Sequence, residues 1–224
     1  MKLNVREDLA RLEELLEHKP LWQRVSAILL ATLVHGLVYF AGNHFPLSEP
    51  RLLHVTAVDA AIPFWPWTAV IYVSAYVQGI SAFLTLKRFI DLQHFLEIFA
   101  VTVLVAGLIH WALPTRFPRE LFPLDAGDPS TLPLRLVRLV DTPNSCFPSL
   151  HVGLSFACAF AIRHPLPKLW WAFFAWSVVI AVSTLTTKQH YLVDVAGGLL
   201  LAVGCVALVE RVNARLAARL TPVG

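Results

Sequence analysis

The apolar positions of this chain lie in long unbroken runs, with the polar and charged residues gathered between them. Six runs stand out, at 22–42, 64–86, 92–113, 149–163, 168–186 and 190–211. Each is near the ~20 residues that an α-helix, rising about 1.5 Å per residue, needs to cross about 30 Å of hydrocarbon. The fourth is the shortest and is expected to begin deeper than its neighbours. The pattern predicts an all-α, polytopic membrane protein, a six-transmembrane-helix bundle over residues 22–213 with a cytoplasmic tail at 214–224.

Ahead of the first run, "LNVREDLARLEELLEH" sets Leu9, Leu12, Leu15 and Leu16 on one helical face among charged residues. It predicts an N-terminal amphipathic helix, within a cytoplasmic segment 1–21, lying on the membrane surface or on the protein itself. The stretch is too charged for the apolar region of a signal peptide, and no small-residue cleavage site follows the first run. Two connections are long. The one at 43–63 leads into "IPFWPW", whose Trp and Pro suit an interfacial, partly re-entrant segment. The one at 114–148 is rich in Pro and Asp and carries four arginines. No soluble domain, low-complexity linker or internal repeat is visible.

Composition sharpens the class. Of 224 residues, 57% are hydrophobic and 15% charged, too little polar surface for a water-soluble domain of this size. The net charge of +3 does not point to a nucleic-acid partner, because most Lys and Arg sit in short loops, as topology signals do. With the N-terminus cytoplasmic, twelve of the eighteen Lys and Arg fall on the inner side. The positive-inside rule then favours an even number of spans with both termini inside. The six outer cations are Arg51, Arg116, Arg119, Arg135, Arg138 and Lys188. Five of them lie in the 114–148 loop or beside His190, and a cluster that runs against the topology bias suits an anion. Cys158 and Cys205 lie inside apolar runs and read as small core residues, so no structural disulfide is expected. Cys146 stands apart from any metal-like spacing.

This topology brings two polar stretches to one membrane face. "NSCFPSLHVG" puts Ser149 and His151 at the start of the fourth run, and "STLTTKQHYLVDVAGG" puts His190 and Asp194 at the start of the sixth. His190 and Asp194 are i and i+4, neighbours on one helix face. Such a pair either tethers helices or holds the imidazole in one tautomer, leaving its other nitrogen nucleophilic. A carboxylate one turn inside a membrane helix is costly, which favours the second reading. Ser149 reads as an N-cap whose free amides, with the helix dipole, also form an anion cradle. His35, His94 and His110 lie singly in apolar runs, and His18, His44, His54 and His164 near loops or helix ends. None has a second ligand at metal spacing, so neither a metal nor a cofactor is expected. Glu97 reads as a paired residue near the inner end of the third run, and Asp59 as a brace of the outer loop.

The two stretches together resemble the second and third signature motifs of the type 2 phosphatidic acid phosphatase superfamily, Pro-Ser-Gly-His and Ser-Arg-x5-His-x3-Asp. Here they read Pro148-Ser149-Leu150-His151 and Ser183-Thr184-x5-His190-x3-Asp194. Leu150 in place of glycine and Thr184 in place of arginine are similar to the subgroup containing inositol phosphorylceramide synthases. The first family motif, Lys-x6-Arg-Pro, is not legible, although "TRFPRE" puts Arg116 and Arg119 in its region. The resemblance implies metal-independent phosphoryl chemistry on a lipid phosphate through a phosphohistidine. His190 would be the nucleophile, Asp194 its orienting carboxylate and His151 the general acid. Ser149, Lys188 and Arg116 or Arg119 would hold the phosphate oxygens. Hydrolysis of a lipid phosphomonoester or diphosphate on the outer face is the first expectation, with transfer of a phospho-headgroup to an acceptor alcohol as the alternative. A transporter is the third, and it would need polar residues at mid-membrane rather than at one interface. The partners expected are the lipid phosphate and the surrounding membrane lipids.

Overall fold

A computed structural model describes residues 20–220, the side chain of Leu220 apart. The amphipathic stretch at 3–18 lies outside the described residues. In chain order the elements are α1 (Leu21–His44), β1 (Arg51–Leu52), α2 (Ala57–Ala61), α3 (Ala69–Thr85), α4 (Phe89–Ala112), β2 (Thr115–Arg116), α5 (Leu132–Val140), α6 (Leu150–Ile162), α7 (Pro167–Thr186) and α8 (Leu192–Leu220). The architecture is all-α apart from a two-residue parallel pairing of β1 with β2, which staples the two long loops together. Inside a bilayer each backbone amide needs a partner within its own segment, and this is why the apolar runs become helices.

Five of these helices are long and apolar enough to cross a membrane: α1, α3 with its leading 3₁₀ turn, α4, α7 and α8. The fourth apolar run becomes α6, only 13 residues and therefore about 20 Å long. It falls short of the span expected for it. Ser149 caps its start, its side chain accepting from the Val152 amide, and Pro165 and Pro167 follow its end. On the other side α8 runs to Leu220, well past the apolar run that announced it.

Outward-facing leucines mark this as an integral membrane protein. Leu29, Leu33 and Leu37 on α1 are 65%, 58% and 62% exposed, and Leu200 on α8 is 72% exposed. Water would penalise such a surface, whereas hydrocarbon does not. α6 sits at the centre, packed on α3, α4, α7 and α8. Its buried Gly153, Ser155, Ala157, Ala159 and Ala161 allow close approach, the usual device where lipid gives no hydrophobic drive for helix association. Polar side chains add specificity. Gln78 on α3 donates to the Phe173 carbonyl at 2.9 Å and the Ser177 hydroxyl at 3.0 Å, and Ser177 donates to the Ser155 carbonyl at 2.8 Å. Glu97 is paired, accepting from Gln93 at 2.9 Å and from Asn213 at 2.7 Å.

The 114–148 connection is more structured than its Pro-rich composition suggested. It holds the nine-residue helix α5, whose Leu134 and Val137 pack into a small cluster with Ala69 and Tyr72 of α3. The 43–63 connection contributes α2, closed by a capping box in which Thr56 and Asp59 satisfy each other's backbone amides.

Candidate active site

The start of α6 and the start of α8 meet at one end of the bundle. The Ser149 amide donates to the Asp194 carbonyl at 3.0 Å, which joins the two motifs through the backbone. Such closeness requires glycine opposite. A Cβ on Gly198 would stand 2.5 Å from the Ser149 carbonyl oxygen, well inside van der Waals contact. The Pro148 carbonyl is held from the third side by Nε2 of buried His110, at 2.9 Å.

His190 lies at the turn before α8, and its Nδ1 faces Oδ2 of Asp194 at 3.3 Å. The same oxygen accepts the Tyr191 amide at 2.8 Å, so the carboxylate is fixed by backbone and ring together. Asp194 is fully buried, and its Oδ1 has no partner among the described residues. Thr184, where the phosphatase pattern has arginine, serves the turn instead. Its hydroxyl donates to the Ala181 carbonyl, and its own carbonyl accepts the Gln189 and His190 amides.

His151, in the first turn of α6, is sandwiched by aromatics that the sequence did not flag. Its ring stacks on Tyr72 with centroids 4.0 Å apart, and Tyr76 stands edge-on at 5.6 Å. The Tyr72 hydroxyl is 3.1 Å from Nδ1, while Nε2 is shielded and unpartnered. With Tyr72 donating, the proton of the neutral imidazole sits on Nε2.

His151, His190 and Arg119 line one small cavity of about 20 Å³. Of the arginines offered by the sequence, Arg119 points inward and Arg116 does not. Arg116 pairs with Glu120 at 3.3 Å near the surface. Arg119 donates to the Asp141 carbonyl at 2.6 Å and to its carboxylate at 2.5 Å, and Tyr39 of α1 donates to the other carboxylate oxygen. Burial lowers Arg119 from its ordinary value and pushes the Asp141 carboxyl up to about 7. Shielded polar atoms without protein partners gather here. Arg119 Nε, Ser145 Oγ, His151 Nε2 and Gln189 Oε1 all belong to residues lining this cavity. Buried polar groups are normally satisfied, so their concentration suits a multivalent polar ligand.

Lys188 and Ser149 stand elsewhere. The Lys188 backbone adopts a φ of 53°, in the left-handed region, to turn the chain from α7 to α8. Its ammonium donates to the Asp59 carbonyl at 2.8 Å and lies 5.3 Å from the Phe122 ring, and burial lowers its pKa. Asp59 braces the loop as expected, accepting the Leu192 amide at 2.7 Å. Burial raises this carboxyl, but the bonds from Thr56 and Leu192 and the charge of Lys188 outweigh it, leaving the pKa below the usual value. Ser149 is fully buried as the cap of α6 and does not line the cavity.

Folding brings a third donor beside the histidine–aspartate pair. Cys146 Sγ, a ring nitrogen of His190 and a carboxylate oxygen of Asp194 lie within 4.8 Å of one another, a spacing that suits a cation. The 43 residues between Cys146 and His190 hide this in the sequence. The thiol itself is a poor ligand as it stands. Burial pushes its pKa well above the ordinary value, and Sγ is bonded to the Pro143 carbonyl at 3.1 Å. All three cysteines are buried and free.

Comparison with known proteins is consistent with this geometry. The chain is 30% identical over 67 residues to the inositol phosphorylceramide synthase catalytic subunit aur1 of Schizosaccharomyces pombe. That match covers 30% of this chain and 16% of the yeast protein, so it spans only about a sixth of that relative's length. No solved structure matches the chain. Residues 49–208, which include both histidine motifs and every residue lining the polar cavity except Tyr39, match the family profile, and the chain therefore belongs to the PAP2 superfamily.

Proposed function

We propose that this protein is a membrane-embedded lipid phosphatase that cleaves a lipid phosphomonoester or diphosphate through a phosphohistidine. The observation that carries the reading is the meeting of His190, His151 and Arg119 on one cavity, with Asp194 behind His190. Asp194 holds the proton on Nδ1 and leaves the Nε2 lone pair free to attack phosphorus. When the anionic substrate binds, His151 takes up a second proton, and as the P–O bond breaks this imidazolium delivers its Nε2 proton to the departing oxygen and returns to the neutral form. His151, now able to accept a proton, draws one from water, whose oxygen attacks the phosphohistidine and releases phosphate and free His190. Arg119 and the free amides at the start of α6 offset the charge on the equatorial oxygens. Ser149 contributes by holding that first turn, Lys188 by holding the turn that carries His190, and Arg116 by adding positive charge at the rim.

The cavity holds about one water, less than a phosphate needs. In this scheme the substrate phosphate takes Arg119 from Asp141, exchanging one anion for another in the same fork.

A second reading is favoured by the similarity to a synthase subunit and by Leu150 and Thr184 in the motifs. Here an acceptor alcohol takes the place of water and receives the phospho-headgroup. The site would face the outside of a plasma or bacterial inner membrane, with both termini cytoplasmic. Purified protein, given a panel of lipid phosphates in EDTA with and without candidate alcohols, separates the cases. Free phosphate supports hydrolysis, and transferred headgroup supports the second reading. Full loss of turnover in EDTA, restored by a divalent ion, overturns the phosphohistidine scheme and turns attention to the Cys146 trio.

A further inference from the structure

A second cavity, of about 290 Å³ and largely apolar, with His35 and Thr32 among its walls, adjoins the polar one. Tyr39, Leu150 and His151 line both. We propose that this cavity holds the hydrocarbon chain of the phosphate-bearing substrate, one chain at a time, reached laterally from the bilayer between α1 and α3. The proposal rests on the lipid-phosphate reading above and adds the class of substrate.

The direction of the cavity follows from the helices that wall it. Along α6 it is lined by His151, Leu154 and Cys158, an i, i+3, i+7 stripe that descends about 10 Å from the catalytic end. Phe83 of α3 and Phe99 of α4 line its far end, and α1, running the other way, contributes Tyr39 near the headgroup and Ile28 in the depth. A substrate with its phosphate at His151 and His190 therefore has one apolar path to follow. The mouth is the seam where Thr32, Tyr76 and Ile80 are exposed among lipid-facing side chains, with Tyr76 52% and Ile80 44% accessible.

Size selects among lipids. A methylene takes up about the space of a water, ~30 Å³, so the cavity admits on the order of ten carbons of a single chain. A two-chain lipid must leave its second chain in the bilayer. Catalytic efficiency is accordingly expected to rise with chain length up to about ten carbons and then to level, since further methylenes leave the pocket.

Gly79 allows a clean test. It lines this cavity, and a Cβ built on it meets nothing within 4 Å, so a side chain there fills the cavity without displacing backbone. The full chain, reconstituted in vesicles, is given a single-chain lipid monophosphate bearing a diazirine at mid-chain, and adducts are mapped by mass spectrometry. In parallel, kcat/KM is measured for a long-chain lipid monophosphate and for a water-soluble aryl phosphate. Adducts are expected on the cavity stripes of α3 and α6. Gly79→Phe should abolish them and lower the lipid-to-aryl ratio of kcat/KM by about ten-fold or more. Thr32→Phe, on the facing helix, should lower the same ratio, which guards against a folding defect in either variant. Adducts spread over outer leucines such as Leu29 and Leu33, or a ratio unmoved in both variants, overturn the cavity while leaving the phosphatase reading intact. Cavity adducts without turnover of any phosphate overturn the enzymatic reading while leaving the cavity as a lipid site.

Discussion

The two histidines at the polar end sit in different surroundings, and their roles should separate by leaving group. His190 has a carboxylate on one nitrogen; His151 has a tyrosine hydroxyl on one nitrogen and a shielded, unpartnered second. His190→Ala is expected to abolish phosphoryl transfer from every substrate, because no covalent intermediate forms. His151→Ala should lose about 10²–10⁴-fold on a lipid alcohol leaving group and far less on an activated aryl phosphate, whose oxygen needs no proton. Asp194→Asn should fall between the two. Steady-state kinetics on both substrates decide it, and equal losses of His151→Ala on both substrates would remove the general-acid role. Asp141 makes a second residue-level prediction. Burial raises its carboxyl to about 7, so above that pH it is ionised and competes with phosphate for Arg119. The ratio of wild-type KM to that of Asp141→Asn should be several-fold at about pH 8 and approach one at about pH 6. A ratio that stays flat between those values would mean that Arg119 does not change partners.

At the scale of elements, the site depends on how closely α6 and α8 cross. Gly198 faces the Ser149 carbonyl, and the obstacle to a larger residue is backbone, which cannot rotate aside. Gly198→Ala is expected to cost about 1–3 kcal/mol and several degrees of thermal midpoint, by forcing the helices apart. The same shift lengthens the Ser149–Asp194 bond, so turnover should fall further than the lost fold accounts for. Gly204→Ala on the same helix, where a Cβ meets nothing within 4 Å, is the control and should change neither. A thermal-shift assay beside an activity assay reads both, and equal behaviour of the two variants would show that the crossing has slack.

For the whole molecule, the orientation in the membrane rests on twelve inner against six outer Lys and Arg. Ala126 is exposed in the 114–148 loop, and the three native cysteines are buried. Ala126→Cys is therefore expected to react with an impermeant thiol reagent on intact cells. Labelling only after lysis would put the polar end on the cytoplasmic side.

What the sequence alone determined was local. Runs of apolar residues declare helices because a bilayer leaves the backbone no other partner, and the His190–Asp194 pairing is legible from a spacing of four at the start of a run, although His190 itself sits in the turn ahead of α8. The shortness of α6 was legible too, since its run of 149–163 is bounded by Ser149 on one side and by Arg163, His164 and two prolines on the other. Tertiary structure alone decided which cation serves the site. Arg116 and Arg119 are three positions apart in a loop, and only the Asp141 carboxylate, 22 residues from Arg119, draws Arg119 inward. Tyr72 reaches His151 across 79 positions, and Tyr39 reaches Asp141 across 102. No periodicity encodes such contacts, because they follow from how separate helices pack and not from the spacing along any one of them. The apolar cavity beside His151 arises in the same way, from the space that four packed helices leave between them.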